Sequence, residues 1–199
     1  MDFLIASNNA HKVQEFKRIL APLGINAISA KEAGFDLGEV AEDGKTFREN
    51  AFIKAESAFL RTGLPSVADD SGLCVDALDG APGIFSARYG GEGLSDRERT
   101  ALLLKNMQDV PESQRTARFI CSICCMINHE DVITLEGVCE GSIAFETCGD
   151  GGFGYDPVFI TSEGKCFGSI PAQEKDEVSH RGVALRSLFE ILKDRKDLI

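Results

Sequence analysis

"SVADDSGLCVDALDGAPGIFSARYGG" runs from Ser66 to Gly91. A short apolar run, Pro65 to Ala68, leads straight into two acids, Asp69 and Asp70, and then Ser71-Gly72. The pattern predicts a short buried strand that ends at the acids and turns at Ser71-Gly72. A turn uses one Asp comfortably, but two adjacent carboxylates repel each other. Metal binding or acid–base chemistry is one reading of the pair, and a solvated turn is the other.

Upstream, "DFLIAS" (Asp2 to Ser7) reads as a buried strand, and "HKVQEFKRIL" places Val13, Phe16 and Leu20 at helical spacing. The join "SNNAHK" is therefore a strand-to-helix turn, whose N–H groups and positive helix start suit an anion. Residues 31–44 are acidic and irregular. "TFRE" from Thr46 is a capping-box pattern and opens a helix to about Arg61, with Asn50 and Lys54 on one face.

Downstream, "APGIFSARYGGEG" reads as a loop, and "SDRE" from Ser95 caps a further helix. Two β-runs, Ala117 to Ile127 and Val132 to Glu146, flank a hairpin turn at "NHED". "GDGGFGYDP" (Gly149 to Pro157) is a glycine-rich loop followed by a short strand, "VFI". A last helix spans about His180 to Lys193.

The 199 residues suit one domain, residues 1–199, made of one body or two joined lobes. No stretch has the length and apolarity of a membrane span, and "MDFLIASNNAHK" lacks the pattern of a signal peptide. A cytoplasmic protein with no membrane partner is expected. The net charge of −11 argues against nucleic acid as a partner. Seven cysteines in such a chain are expected to be reduced and mostly buried. Cys121 and Cys124 have zinc-like spacing, but three residues apart on a strand they face opposite ways.

Two motif matches fail on context. "GEVAEDGKT" has five residues, not four, before Gly-Lys-Thr, and no strand leads into it. "GDGGFG" fits G-x-G-x-x-G, yet Pro157 and a strand follow where a dinucleotide site needs a helix.

What remains is a set of polar residues near strand ends, turns and glycine loops: Asn9, Lys12, Glu42, Lys54, Asp69, Asp70, Ser71, Arg88, Lys175, His180 and Arg181. Carboxylates together with Lys and Arg suit a phosphate–Mg²⁺ complex. In order, "SNNAHK", "EDGKTFRENAFIKA", "ADDSGLCVDALDGAPGIFSARY", "GGFGYDPVF", and "EK" followed by "SHR" make the chain resemble the inosine triphosphate pyrophosphatase family over nearly its whole length.

The resemblance implies an elongated α/β fold with a long central mixed β-sheet flanked by helices, a cleft between two lobes, and a homodimer. It implies a nucleoside triphosphate pyrophosphatase that hydrolyses ITP, dITP and XTP with Mg²⁺ to the monophosphate and pyrophosphate. Ser7, Asn8, Asn9, Ala10, His11 and Lys12 then hold phosphates. Glu42 and Asp70 hold the metal, and Asp70 is also the base that activates water. Ser71, Phe153, Gly154, Tyr155, Asp156, Lys175, His180 and Arg181 contact the nucleotide, with Lys54 and Arg88 as further phosphate ligands. His180 and Arg181 are the expected donors to the purine O6. Within this frame Asp70 faces the cleft, and Asp69 bonds the turn at Ser71-Gly72. A non-catalytic nucleotide-binding protein and a pyrophosphatase for modified pyrimidine nucleotides are the competing classes.

Overall fold

A computed structural model describes residues 2–195; Met1 and residues 196–199 of the expected single domain lie outside the described residues. Six strands form one sheet in the order β2-β1-β3-β4-β5-β6. They are β1 Asp2–Ile5, β2 Asn26–Ser29, β3 Ser66–Val75, β4 Thr116–Met126, β5 Val132–Ile143 and β6 Phe159–Thr161. The five α-helices are α1 Ala10–Leu20, α2 Phe47–Thr62, α3 Asp96–Asn106, α4 Ala172–Val178 and α5 His180–Leu192. Strand β1 runs parallel to β2 and β3 while β5 and β6 are antiparallel, so the α/β fold has the mixed sheet expected of it. Among the described residues no helix is long and apolar enough to cross a membrane.

The chain divides into two compact units. The first comprises Met1–Asp70, Cys121–Gly137 and His180–Ile199, and the second Ser71–Ile120 and Val138–Ser179.

The first unit has helices on both faces of its strands. Phe3 and Ile5 of β1 pack with Phe16 and Leu20 of α1 and with Leu185 and Leu188 of α5. Leu4, and Ala6 just beyond the strand, pack with Ala51, Ala55 and Ala58 of α2. Such two-sided burial is why "FLIA" is an unbroken apolar run and not an alternating one. Leu4 and Ile5 are wholly buried, which stabilises the fold by about 1.5–3 kcal/mol each. The alanine stripe on α2 lets that helix lie close to the sheet. On β4, Cys121 and Cys125 join the first of these clusters and Cys124 the second, so the zinc-like pair is split as its spacing predicts. Burial pushes Cys124 up to about 12 and Cys139 up to about 11, leaving both protonated at neutral pH and poor as nucleophiles or metal ligands.

The second unit has its own core, built on Phe119, Phe159 and Phe167, with Phe119 and Phe159 edge-on at 4.7 Å between ring centres. Beside it Arg115 is buried with no carboxylate partner among the described residues. Its guanidinium donates to the carbonyls of Met107 (2.7 Å), Ile143 (2.7 Å) and Ala144 (2.7 Å), and so ties the end of α3 to the end of β5.

Several expectations are corrected. Strand β3 does not stop at the acids but continues through Ser71-Gly72 to Val75. The loop after it contains a 3-10 turn, Gly83–Arg88. Strand β2 and helix α4 carry no clear mark in the sequence. The cysteines are not all free: Cys148 and Cys166, 18 residues apart, form a disulfide, with Cα atoms 6.1 Å apart. They meet because the backbone at both ends of the glycine loop pairs with the segment after β6, through Gly151 N–H to Gly168 O (2.9 Å) and Gly168 N–H to Asp156 O (2.9 Å).

Candidate active site

The alternation that splits the cysteines also splits the two aspartates. Along β3, Val67 faces α1 and α5 and Ala68 faces α2. Asp69 and Asp70 continue the sequence, one toward each layer.

Asp70 faces α2. Its Oδ1 lies 2.9 Å from Lys54 Nζ, and its Oδ2 accepts a hydrogen bond from Asn50 Nδ2 at 3.1 Å. Lys54 and Asn50 sit four residues apart, which places them on one helical face. The same ammonium is 3.3 Å from Glu42 Oε1, so the structure brings Glu42, Lys54 and Asp70 together. Asn50 also fastens the segment that carries Glu42, because its Oδ1 accepts the Gly44 N–H at 2.9 Å. A Cβ at Gly44 would come within 2.6 Å of that oxygen, so the approach needs glycine. Asp43 is exposed. Burial pushes Asp70 above the usual carboxylate range, with Lys54 pulling the other way. For Lys54 burial acts downward, but the Asp70, Asp69 and Glu42 carboxylates win and hold it above an ordinary lysine.

Asp69 faces α1 and α5. Its Oδ2 accepts from the Arg181 guanidinium at 2.7 Å and lies 3.0 Å from Lys12 Nζ. Arg181 pairs through its other terminal nitrogen with Glu15. The side chains of Arg181 and Asp69 are 1% and 0% exposed, so that pair is shut off from water. Burial would raise Asp69, yet Arg181, Lys12 and Lys54 hold it well below the carboxylate range. One expectation changes here. There is no turn at Ser71-Gly72 for Asp69 to bond; it is the buried counter-charge of Arg181. The Arg181 guanidinium, expected to read a purine base, donates to the Glu15 and Asp69 carboxylates.

The first turn is built as a helix start. Asn9 caps α1, its Oδ1 accepting from the N–H groups of His11 (2.9 Å) and Lys12 (3.2 Å). Ser7 Oγ accepts the Asn9 N–H at 3.2 Å, and Asn8 Nδ2 donates to the Gly38 carbonyl at 3.0 Å. Asn8, Asn9, Ala10 and His11 are exposed, with Lys12 part-buried beneath them. His180, the first residue of α5, is buried.

The second unit holds the remaining candidates in three places. In the glycine loop, Asp156 Oδ2 accepts the Phe153 N–H at 2.9 Å and lies 2.5 Å from Lys175 Nζ. That ammonium stands 4.7 Å from the centre of the Phe153 ring. Gly152 has φ +73°, and a Cβ there would fall 2.1 Å from Asp156 Oδ2, so a side chain would expel the carboxylate. Gly154 N–H donates to Asp96 at 2.8 Å. Tyr155 is a core residue whose hydroxyl donates to Ser86 O at 2.9 Å. Arg88 is exposed and lies over Phe85, 5.0 Å from the ring centre. Ser71 is half-buried on β3.

Asn50, Glu15 and the role of Asp69 escape the sequence reading. For Asn50 a signal exists: an amide one helical turn before a lysine, on the face that buries Phe47, Ala51, Ala55 and Ala58.

A family model described as the Ham1 family matches residues 3–191. The chain belongs to the Ham1 family. This agrees with the family resemblance carried by the ordered motifs. The Ham1 chain is 46% identical over 196 residues to a dITP/XTP pyrophosphatase of Shigella flexneri, covering 96% of this chain and 98% of the relative. A dITP/XTP pyrophosphatase of Vibrio vulnificus is 47% identical over 195 residues, 96% of each chain. Among solved structures, a HAM1 protein from Coxiella burnetii superposes with a TM-score of 0.87 at 41% identity, covering 98% of this chain and 99% of that one.

Proposed function

We propose that this Ham1-family enzyme hydrolyses the non-canonical purine nucleoside triphosphates ITP, dITP and XTP to monophosphate and pyrophosphate with Mg²⁺, clearing them from the nucleotide pool. The observation that carries the reading is the convergence of Glu42 and Asp70 on one part-buried cation, Lys54 Nζ, in a chain this similar to dITP/XTP pyrophosphatases. Magnesium takes hard oxygen ligands and typically shares one or two carboxylates with substrate phosphates. Among the described residues no three His, Cys, Asp or Glu side chains gather as a metal-holding group, so a two-carboxylate share is the one on offer. The ammonium between those carboxylates supports the fit, since the position already accepts positive charge.

Glu42 and Asp70 would hold Mg²⁺, which would supply neutralisation of triphosphate charge and a more acidic attacking water. Asp70 accepts the proton as water attacks the α-phosphorus and pyrophosphate leaves. Lys12 and Lys54 hold the phosphate oxygens as their charge grows. Base selection falls to Phe153, as a stacking face, and to Lys175. A lysine ammonium only donates, which suits the O6 acceptor of hypoxanthine or xanthine and opposes the amino group of adenine. We further read the enzyme as cytoplasmic and homodimeric. Light scattering at twice the 21.5 kDa of one chain checks the dimer.

A pyrophosphate-release assay across ITP, dITP, XTP, ATP and GTP, with and without Mg²⁺, tests the function. Leaving a buried donor unpaired costs about 1–3 kcal/mol, so kcat/KM for ITP should exceed that for ATP by roughly 10- to 10²-fold. Equal turnover of ATP and ITP overturns the specificity. Lys12→Ala should lower kcat/KM for ITP about tenfold or more while Tm stays close to wild type, because Asp69 keeps Arg181. An unchanged kcat/KM removes Lys12 from the phosphate site.

A further inference from the structure

We propose that Lys54 is an internal counter-ion that keeps a bare divalent cation off the Glu42–Asp70 pair, so that metal and triphosphate bind as one unit. The inference rests on the reading of Glu42 and Asp70 as the metal pair. Both oxygens of Asp70 are engaged, Oδ1 with Lys54 at 2.9 Å and Oδ2 with Asn50 at 3.1 Å. The ammonium reaches Glu42 as well, at 3.3 Å, and the Lys54 side chain is only 12% exposed. A metal ion entering alone must therefore take carboxylate oxygens from partners that already hold them.

Charge decides whether it can. One ammonium against two carboxylates leaves the cluster with a single negative charge. A divalent ion added without anions reverses that to a single positive charge, with two cations crowded into a mostly buried site. Repulsion between them is poorly screened there. Asp69, the next carboxylate along β3, does not compensate, because it faces the other layer and is already held by Arg181 and Lys12. A triphosphate changes both terms at once. Its oxygens complete the shell of the metal, and they give the Lys54 ammonium new partners within reach of its flexible stem. The same lysine then serves first as a placeholder and afterwards as a phosphate ligand.

The test is Mn²⁺ binding followed by electron paramagnetic resonance on the full chain, with and without an ITP analogue whose α,β-bridging oxygen is replaced by methylene. Without nucleotide, Lys54→Met should bind Mn²⁺ about tenfold or more tightly than wild type, and Lys54→Arg should stay as weak as wild type. With the analogue, wild type should bind Mn²⁺ tightly, and Asp70→Asn should lose that binding. Lys54→Gln, which keeps a donor and loses only the charge, repeats the comparison if the methionine variant does not fold. Equal free Mn²⁺ affinity in wild type and the neutral variants, with Asp70→Asn still losing Mn²⁺ in the ternary complex, overturns the role of Lys54 alone. Mn²⁺ binding in the ternary complex that ignores Asp70→Asn overturns the metal-pair reading and this inference with it.

Discussion

Asp70→Asn is expected to lower kcat for ITP by about 10²-fold or more while the nucleotide still binds. Asparagine keeps the size of the side chain and an oxygen that can accept from Lys54 or Asn50, so β3 and α2 should stay in place. What it loses is the negative charge that a divalent ion needs and the basicity that a water proton needs. Phosphate contacts from Lys12 do not pass through Asp70, so affinity for the methylene analogue in metal-free buffer should fall far less than turnover. The check is kcat at saturating Mg²⁺ and ITP beside calorimetric binding of the analogue without divalent metal. Near-wild-type turnover would remove Asp70 from the chemistry, and loss of binding with normal thermal stability would make it a substrate ligand instead.

The second large effect is on stability. Arg181→Ala leaves the carboxylates of Glu15 and Asp69 without the guanidinium that both now face, and Asp69 has no exposed surface. Breaking a buried charge cluster by deleting one partner costs about 3–5 kcal/mol. Urea unfolding should therefore show a midpoint well below wild type at an unchanged m-value. Replacing Arg181, Asp69 and Glu15 together by apolar residues of similar volume should cost less than the single substitution, since no fully buried charge is then stranded and Lys12, which loses Asp69, is partly exposed. A wild-type midpoint for Arg181→Ala would mean that the cluster is not a stabilising unit. Any change in base preference must be read on protein shown to be folded, because Arg181 acts on the position of α5 before it acts on a ligand.

Local signals were legible where local chemistry is sufficient. Thr46 and Ser95 cap α2 and α3 as their capping patterns predict, with Thr46 Oγ1 accepting the Glu49 N–H at 3.1 Å. The periodic apolar residues of α1 and α5 bury the faces they should. From sequence, strand β3 reads as ending at Asp69 and Asp70, because two acids look like the end of a buried run. They are buried all the same, as their partners arrive from far along the chain: Lys54 lies 16 residues from Asp70 and Arg181 lies 112 from Asp69. No window around Asp69 contains that information. Strand β2 buries only Ala27 on the sheet, and α4 has seven residues, mostly polar, so neither has the periodicity that marks an element. For Asp70, Glu42 and Lys54 the sequence supplied the residues, and the fold supplied the fact that a single ammonium touches both acids.

Strand β3 lies parallel to β1 with Leu4 opposite Ser66 and Ile5 opposite Val67, and its two acids follow within three residues. Sliding the strand by one residue in one direction would give Lys54 a serine and Arg181 the wrong aspartate. Sliding it the other way would give Lys54 an aspartate and leave Arg181 facing alanine. Because a one-residue slip exchanges every side chain between faces, only one alignment satisfies both buried cations. The doublet thus works as a registration mark. A misaligned chain strands a buried charge and unfolds, so a molecule stable enough to persist has Asp70 in place beside Lys54.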